Sequence, residues 1–341
     1  MEETERLSES IKELLGGRRD KRLANVLEEA HPADVSRVIR ELPVEDQVRV
    51  FRLMSPQHAG AVLSELDDPV LRELVGSLDE AEVSRALDRM PSDEVANVVE
   101  ELSKDQAEEI LDLMEEEKAE EVQGLLEYEE GTAGRLMSPD FVAVHEQATV
   151  ARALEHIRKA KTGDGAFYVY VVDDHDHLVG LVPLHRLLAA EPATPIQAIR
   201  TEDVESVTVN TDQEEVARLV QHYNLIQVPV VDASRRLLGT IGVDDVIDVI
   251  REEATEDIQR LGGAAGDETV LDPPRAVFLK RLTWRLINLG TAVLAASVIG
   301  LFESSIQALA TLAVFMPIVA SMGGIGTTQT ATLVVRGIAL G

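Results

Sequence analysis

The sequence predicts a multidomain chain: an all-α superhelical repeat domain, an α/β domain built twice, a connecting helix and an α-helical transmembrane segment. Three observations predict it. An apolar helical pattern returns every 12 residues from about 32 to 127. A strand–turn–strand–helix stretch is duplicated at an offset of 59 residues. Of the 51 residues from 286 to 336, 49 carry no charge. The 341 residues have room for two or three domains.

The repeat is read from sets such as Val35, Val38, Ile39, Leu42, then Leu71, Leu74, Val75, Leu78, then Val83, Ala86, Leu87, Met90. The spacing i, i+3, i+4, i+7 lines one face of a short helix. Pro or Asp/Ser often precedes a copy, as in HPADV and MPSDEV, which reads as a turn and cap. Twelve residues make about two helical turns and a corner. Such a unit cannot bury its face alone, so neighbours must stack into a superhelix.

The duplicated unit aligns FYVYVVDDHDHLVGLVPLHRLL (167 to 188) with IQVPVVDASRRLLGTIGVDDVI (226 to 247), making Gly180 and Gly239 equivalent. Each copy reads as a strand, an acidic turn, a second strand and a helix, and two copies should pair into one pseudo-symmetric module. His175 and His177, in DDHDH, read as solvated turn residues.

The last region reads as membrane. Seventeen uncharged residues separate Arg285 from Glu303, and 32 more separate Glu303 from Arg336, which predicts two spans. Lys280, Arg281 and Arg285 before the first and Arg336 after the second put both flanks in the cytoplasm. The expected location is thus the cell membrane, multi-pass, with the N-terminal domains cytoplasmic. Pro317, Gly323, Gly324 and Gly326 predict an interrupted second span, with Thr327, Thr328, Gln329, Thr330 and Thr332 lining a polar path. The boundaries read as 1–130 for the repeat, 131–198 and 199–253 for the α/β copies, 254–280 for the connecting helix and 281–341 for the membrane segment.

Charge narrows the function. The net charge is -30, yet residues 271 to 341 carry five bases and two acids, leaving 27 bases and 60 acids before them. That field repels nucleic acid and attracts cations. With no cysteine, disulfides and thiolate metal sites are excluded. No phosphate loop, nucleophile motif or paired His/acid site is present, so an enzyme is not expected.

The carboxylates concentrate in DDVIDVIREEATED (244 to 257), seven acids in fourteen residues. On a helix Asp245, Asp248, Glu252, Glu253 and Glu256 share roughly one face. Like charges four apart repel, so the arrangement costs stability unless cations sit there. Oxygen ligands without His or Cys suit Mg²⁺ or Ca²⁺.

Four ordered segments resemble the MgtE magnesium transporters and channels: YEEGTAGRLMSPDFVAV, TDQEEVARL, VDDVIDVIREEATEDIQRLGG and PIVASMGGIGTTQTATLVVR. The resemblance implies a superhelical N-terminal domain, a pair of CBS domains, a connecting (plug) helix and a magnesium-conducting membrane domain. It implies a homodimer in a lipid bilayer, with Mg²⁺ both transported and regulatory, holding the pore shut when bound to the cytosolic domains. Carried over by position, the sensor residues are Asp93, Asp212, Glu214, Asp245, Asp248, Glu253, Glu256 and Asp257. Ala61, Asn97 and Asn224 stand where the family has acids, and Ile325 and Thr328 replace asparagines of its membrane motif. Family subunits have five membrane helices and this chain has two, so it is expected to be a fragment or truncated product. The alternative is a membrane-anchored sensor of magnesium or nucleotide that does not itself conduct. CBS modules often bind adenine nucleotide; Asp245 in GVDD suits the ribose, but Gly242 replaces the usual hydroxyl, and the first copy has Pro183 and Arg186 instead.

Overall fold

The structure, a computed structural model, describes residues 2–17, 19–159, 167–261, 274–308 and 310–340. It divides into two compact units, Met1–Ile250 and Arg251–Gly341.

The first unit opens with ten helices: α1 (Glu2–Gly16), α2 (Asp20–Glu29), α3 (Pro32–Arg40), α4 (Val44–Leu53), α5 (Pro56–Leu63), α6 (Asp68–Val75), α7 (Glu80–Leu87), α8 (Ser92–Glu100), α9 (Lys104–Leu113) and α10 (Glu116–Leu126). The 12-residue pattern becomes the helices from α3 onward, and its apolar positions form the core. Helices pack on the next but one, α3 on α5, α5 on α7, α7 on α9 and α8 on α10, which makes the expected superhelix. Helix starts are set by short caps: Ser55 and Ser103 accept backbone N–H groups of α5 and α9, and Asp79 with Glu82 forms a capping box on α7.

Sequence periodicity passes over α4, whose set is Gln47, Val50, Phe51 and Met54. Gln47 holds an apolar position and is only 4 % exposed. Its Nε2 donates to Ile39 O (3.0 Å) and Leu42 O (2.9 Å), carbonyls at the open end of α3. The polar residue thus occupies the slot because it caps a neighbour.

The α/β part follows. After α11 (Ala133–Leu136), β1 (Ala143–His145) runs parallel to β2 (Tyr168–Val172), which pairs antiparallel with β3 (Leu178–Pro183). In the second copy β4 (Val207–Thr208) runs parallel to β5 (Gln227–Val231), antiparallel to β6 (Leu237–Gly242). Helices α12 (Val150–Lys159), α13 (Leu184–Ala189), α14 (Gln213–Tyr223) and α15 (Val243–Leu261) accompany them. Both hairpins carry a bulge at the matching place, Val171/Val172 and Val230/Val231. Gly180 and Gly239 answer one requirement: a Cβ there would lie 2.8 Å from Thr201 O or Ser138 O, backbone that pairs along the edge of β3 or β6.

Two features cross the expected boundaries. Residues 133–137 belong spatially with the second copy: Ala133 N donates to Thr211 O (2.7 Å) and Gly134 N to Val209 O (2.8 Å). One continuous core joins the superhelix to the second copy, whereas the first copy has a core of its own around Val150, Val171, Val182 and Leu187. No helix begins at residue 254 either. α15 runs unbroken through it, and 262–273 of the expected connecting helix lie outside the described residues.

In the second unit α16 (Pro274–Leu301), α17 (Glu303–Ala308) and α18 (Ala310–Leu340) follow. Among the described residues one helix, Val277–Leu301, is long and apolar enough to cross a membrane. Its 25 residues rise about 37 Å at 1.5 Å each, more than a hydrocarbon core of about 30 Å. The second expected span falls on 304–335, where several side chains lie outside the described residues. The expected interruption of that span is not found. α18 continues through Pro317 and the glycines. The hydroxyls of Thr327, Thr328, Thr330 and Thr332 donate to carbonyls four residues back, at 2.9 to 3.1 Å. In an apolar medium each backbone group needs a partner, which favours an unbroken helix over the intrinsic cost of glycine.

Candidate metal centre

Two helix starts bring carboxylates together. Asp93 lies in the first turn of α8 and Asp245 in the first turn of α15. Asp245 Oδ2 accepts the N–H of Gly242 (3.1 Å), reaching back to the residue before its helix. A Cβ on Gly242 would lie 2.1 Å from Asp244 Oδ1 and 3.2 Å from Asp245 Oδ2, so the two aspartates crowd one backbone position. A side chain at Gly242 would displace the exposed carboxylate of Asp244.

The electrostatics show which groups face one another. Burial pushes Asp245 up to about 7, helped by the charges of Asp93, Asp244 and Glu94, while the Gly242 N–H pulls it down. Glu94 is pushed up to about 6, first by burial, then by Asp93. Asp93 is raised mainly by burial, and Asp140 adds to the rise; its own N–H, the Ser138 hydroxyl and Lys118 oppose it. Asp140 is raised by burial as well, with Lys118 opposing. Lys118, whose ammonium also donates to Met90 O, is the cation whose charge acts on Asp93 and Asp140.

Asp93 is 8 % exposed, and its Oδ1 is buried without a hydrogen-bond partner. An unsatisfied buried carboxylate oxygen costs roughly 1–3 kcal/mol or more. A helix N-terminus favours the anion, but here desolvation outweighs that help. Oxygen-only donors with a stranded lone pair fit a hard dication such as Mg²⁺, which takes one or two carboxylates and keeps several waters.

The other sequence-derived residues are placed differently. Asp212 caps α14, accepting Glu214 N at 2.9 Å, and Glu214 pairs with Arg218 at 2.7 Å. Asp248 is exposed one turn along α15 from Asp245. Glu253, Glu256 and Asp257 lie farther along α15, in the second unit, and Glu256 pairs with Arg260. Of the eight, the structure places Asp93 and Asp245 where each carboxylate feels the other's charge. It adds Glu94, Asp140 and Asp244, which sequence reasoning did not single out. Asp244 stood within the acidic run, but Glu94 and Asp140 are brought in by tertiary packing alone.

Comparisons with known proteins agree with this architecture. The family model "MgtE intracellular N domain" matches residues 30–131, and the "CBS domain" model matches 133–193 and 196–252. The chain is 40 % identical over 214 residues to the magnesium transporter MgtE of Thermus thermophilus, covering 62 % of this chain and 48 % of that one. It is 37 % identical over 213 residues to MgtE of Enterococcus faecalis, covering 62 % and 47 %. The chain thus spans about half the length of the curated relatives it matches. Among solved structures, the soluble part of a magnesium transporter is 30 % identical with a TM-score of 0.68, covering 74 % of this chain and 99 % of its own. The cytosolic domain of the Mg²⁺ channel MgtE in complex with ATP is 35 % identical with a TM-score of 0.68, covering 71 % and 99 %. A superhelical domain, a CBS pair and their order along the chain are shared with these relatives, and the chain belongs to the MgtE family.

Proposed function

We propose that the chain is a magnesium-sensing part of a magnesium transport protein of the cell membrane, with the superhelical domain and CBS pair on the cytoplasmic side. The observation that carries this reading is the unpartnered, buried Oδ1 of Asp93 within the carboxylate group of α8 and α15. Mg²⁺ there would offset mutual repulsion and hold the superhelix against the second CBS copy. When magnesium falls, the carboxylates repel and the contact loosens, a two-state element biased by ligand. α15 runs from the carboxylate group toward the membrane helices in sequence, so it is the element through which the pore would be held shut. Asp212, Glu214, Asp248, Glu253, Glu256 and Asp257 enter the sensor through resemblance. Transport needs no ATP hydrolysis: a divalent cation gains about 4.6 kcal/mol per 100 mV of inside-negative potential. A homodimer is part of the same proposal.

An adenine nucleotide is a second candidate ligand of the CBS pair, because a relative's cytosolic domain was solved with ATP. In this chain Asp245 is engaged by Gly242 N and faces Asp93, and Arg186 donates to Ile199 O and Thr201 Oγ1. A nucleotide would compete for Asp245 with the cation. The alternative reading remains a membrane-anchored sensor that does not conduct.

Protease protection of the chain in detergent tests the sensor, over Mg²⁺ from zero to about 20 mM with Na⁺ matched for ionic strength. Saturable protection in the millimolar range is expected, lost in Asp93→Ala/Asp245→Ala. Equal protection by Na⁺ would remove the sensor reading.

A further inference from the structure

The turn between β2 and β3 reads Asp173, Asp174, His175, Asp176, His177. Its counterpart between β5 and β6 reads Asp232, Ala233, Ser234, Arg235, Arg236. The two share one backbone. Asp173 Oδ1 accepts His175 N (2.8 Å) and His177 N (3.0 Å), and Asp232 Oδ1 accepts Ser234 N (2.7 Å) and Arg236 N (2.8 Å). The fourth residue is left-handed in both, Asp176 at φ 62° and Arg235 at φ 65°. The second turn folds this way without histidine, so the turn itself does not require the imidazoles of the first.

The imidazoles bring donor atoms together. His177 Nδ1 lies 3.0 Å from Asp173 Oδ2, and the rings of His175 and His177 stack at 21° with centroids 5.7 Å apart. One ligand atom from each of Asp173, His175 and His177 lies within 4.8 Å of those of the other two. Two donors on one ion, each about 2.1 Å from it, are separated by roughly 3.0 to 3.4 Å. Asp173 and His177 already have that separation. His175 is exposed and supplies the third donor atom of the set. On the neighbouring strand His145 Nε2 is engaged with Asp174 Oδ1 at 2.9 Å. Arg235 and Arg236 of the facing turn disfavour a loosely attracted cation, so an ion here must be held by direct bonds.

We propose that Asp173, His175 and His177 bind a borderline transition-metal dication, Zn²⁺, Ni²⁺ or Co²⁺, at the seam of the two CBS copies. Two imidazoles and one carboxylate suit these ions and not Mg²⁺, which selects oxygen. For Nδ1 of neutral His177 to bind the ion, its ring proton must sit on Nε2 instead of facing Asp173, and water completes the coordination. The seam is where Leu178 N donates to Arg235 O (2.9 Å) and Leu237 N to Asp176 O (3.2 Å), so the ion would tie the first turn against the second. The site is independent of the Asp93 group, and its test does not depend on that reading.

The test is equilibrium dialysis of the untagged full chain in detergent against Zn²⁺, with Mg²⁺ at about 10 mM throughout to occupy oxygen sites. The comparison is H175S/H177R, which writes the second turn's residues into the first. The parent should retain one Zn²⁺ per chain in the micromolar range or tighter, and the variant should bind at least about tenfold more weakly. In EDTA the two should melt alike, since the turn keeps its aspartate. His175→Ala, at an exposed position, gives the same comparison if the double variant does not fold. No stoichiometric retention by the parent, or retention unchanged in both variants, would overturn the site.

Discussion

Asp93 and Asp245 are in a costly position, and their titration reports it. The folded-state value of Asp245, about 7, is above the roughly 3.9 of an unfolded aspartate. Glu94, at about 6, is above the roughly 4.3 of an unfolded glutamate. The folded state therefore holds more protons between those limits, and stability falls as pH rises from about 4 to about 7. Calorimetry in metal-free buffer should show the melting temperature dropping across this window, with a shallower slope in Asp245→Asn. An unchanged slope would mean that Asp245 is not the group that titrates. Asp93→Asn removes the buried charge and supplies an N–H donor. It should raise metal-free stability by about 1 kcal/mol and abolish most of the Mg²⁺-dependent gain.

At the scale of elements, periodicity made the repeat helices legible because each buries one face. It failed at α4, where Gln47 fills an apolar position to cap α3. Gln47→Leu restores the apolar pattern yet strands the Leu42 carbonyl, while Ile39 O keeps the N–H of Leu42, so it should destabilise by about 1 kcal/mol in urea unfolding. A stabilised variant would show that the cap contributes nothing. Glycine and proline misled the reading of α18 for a related reason. They signal a break in water, but hydroxyls that bond back along the helix satisfy an apolar segment locally.

The first compact unit rests on contacts that cross between the expected domains. Arg135 of α11 is 5 % exposed and donates to Glu100 at the end of α8, which is 38 % exposed. The two substitutions should be unequal. Glu100→Ala strands a buried guanidinium and should cost about 3 kcal/mol, whereas Arg135→Met leaves a carboxylate that water can reach and should cost less. Chemical denaturation of the two variants distinguishes them, and equal losses would contradict the buried-cation account.

By itself the sequence determined the local facts of this protein: a 12-residue helical repeat, two copies of one α/β unit, and an acidic helix followed by apolar chain. These follow from the periods of helix and strand, which a single segment displays. Its resemblance to MgtE proteins rested on motifs that are contiguous in the chain. Only the tertiary structure decided that the superhelix and the second CBS copy share one core. It alone decided that Asp93 and Glu94 meet Asp245 more than 140 residues later in the chain, and that His175 and His177 stack beside Asp173. The reason is that desolvation and charge repulsion depend on distance through space, to which the order of residues along the chain is blind.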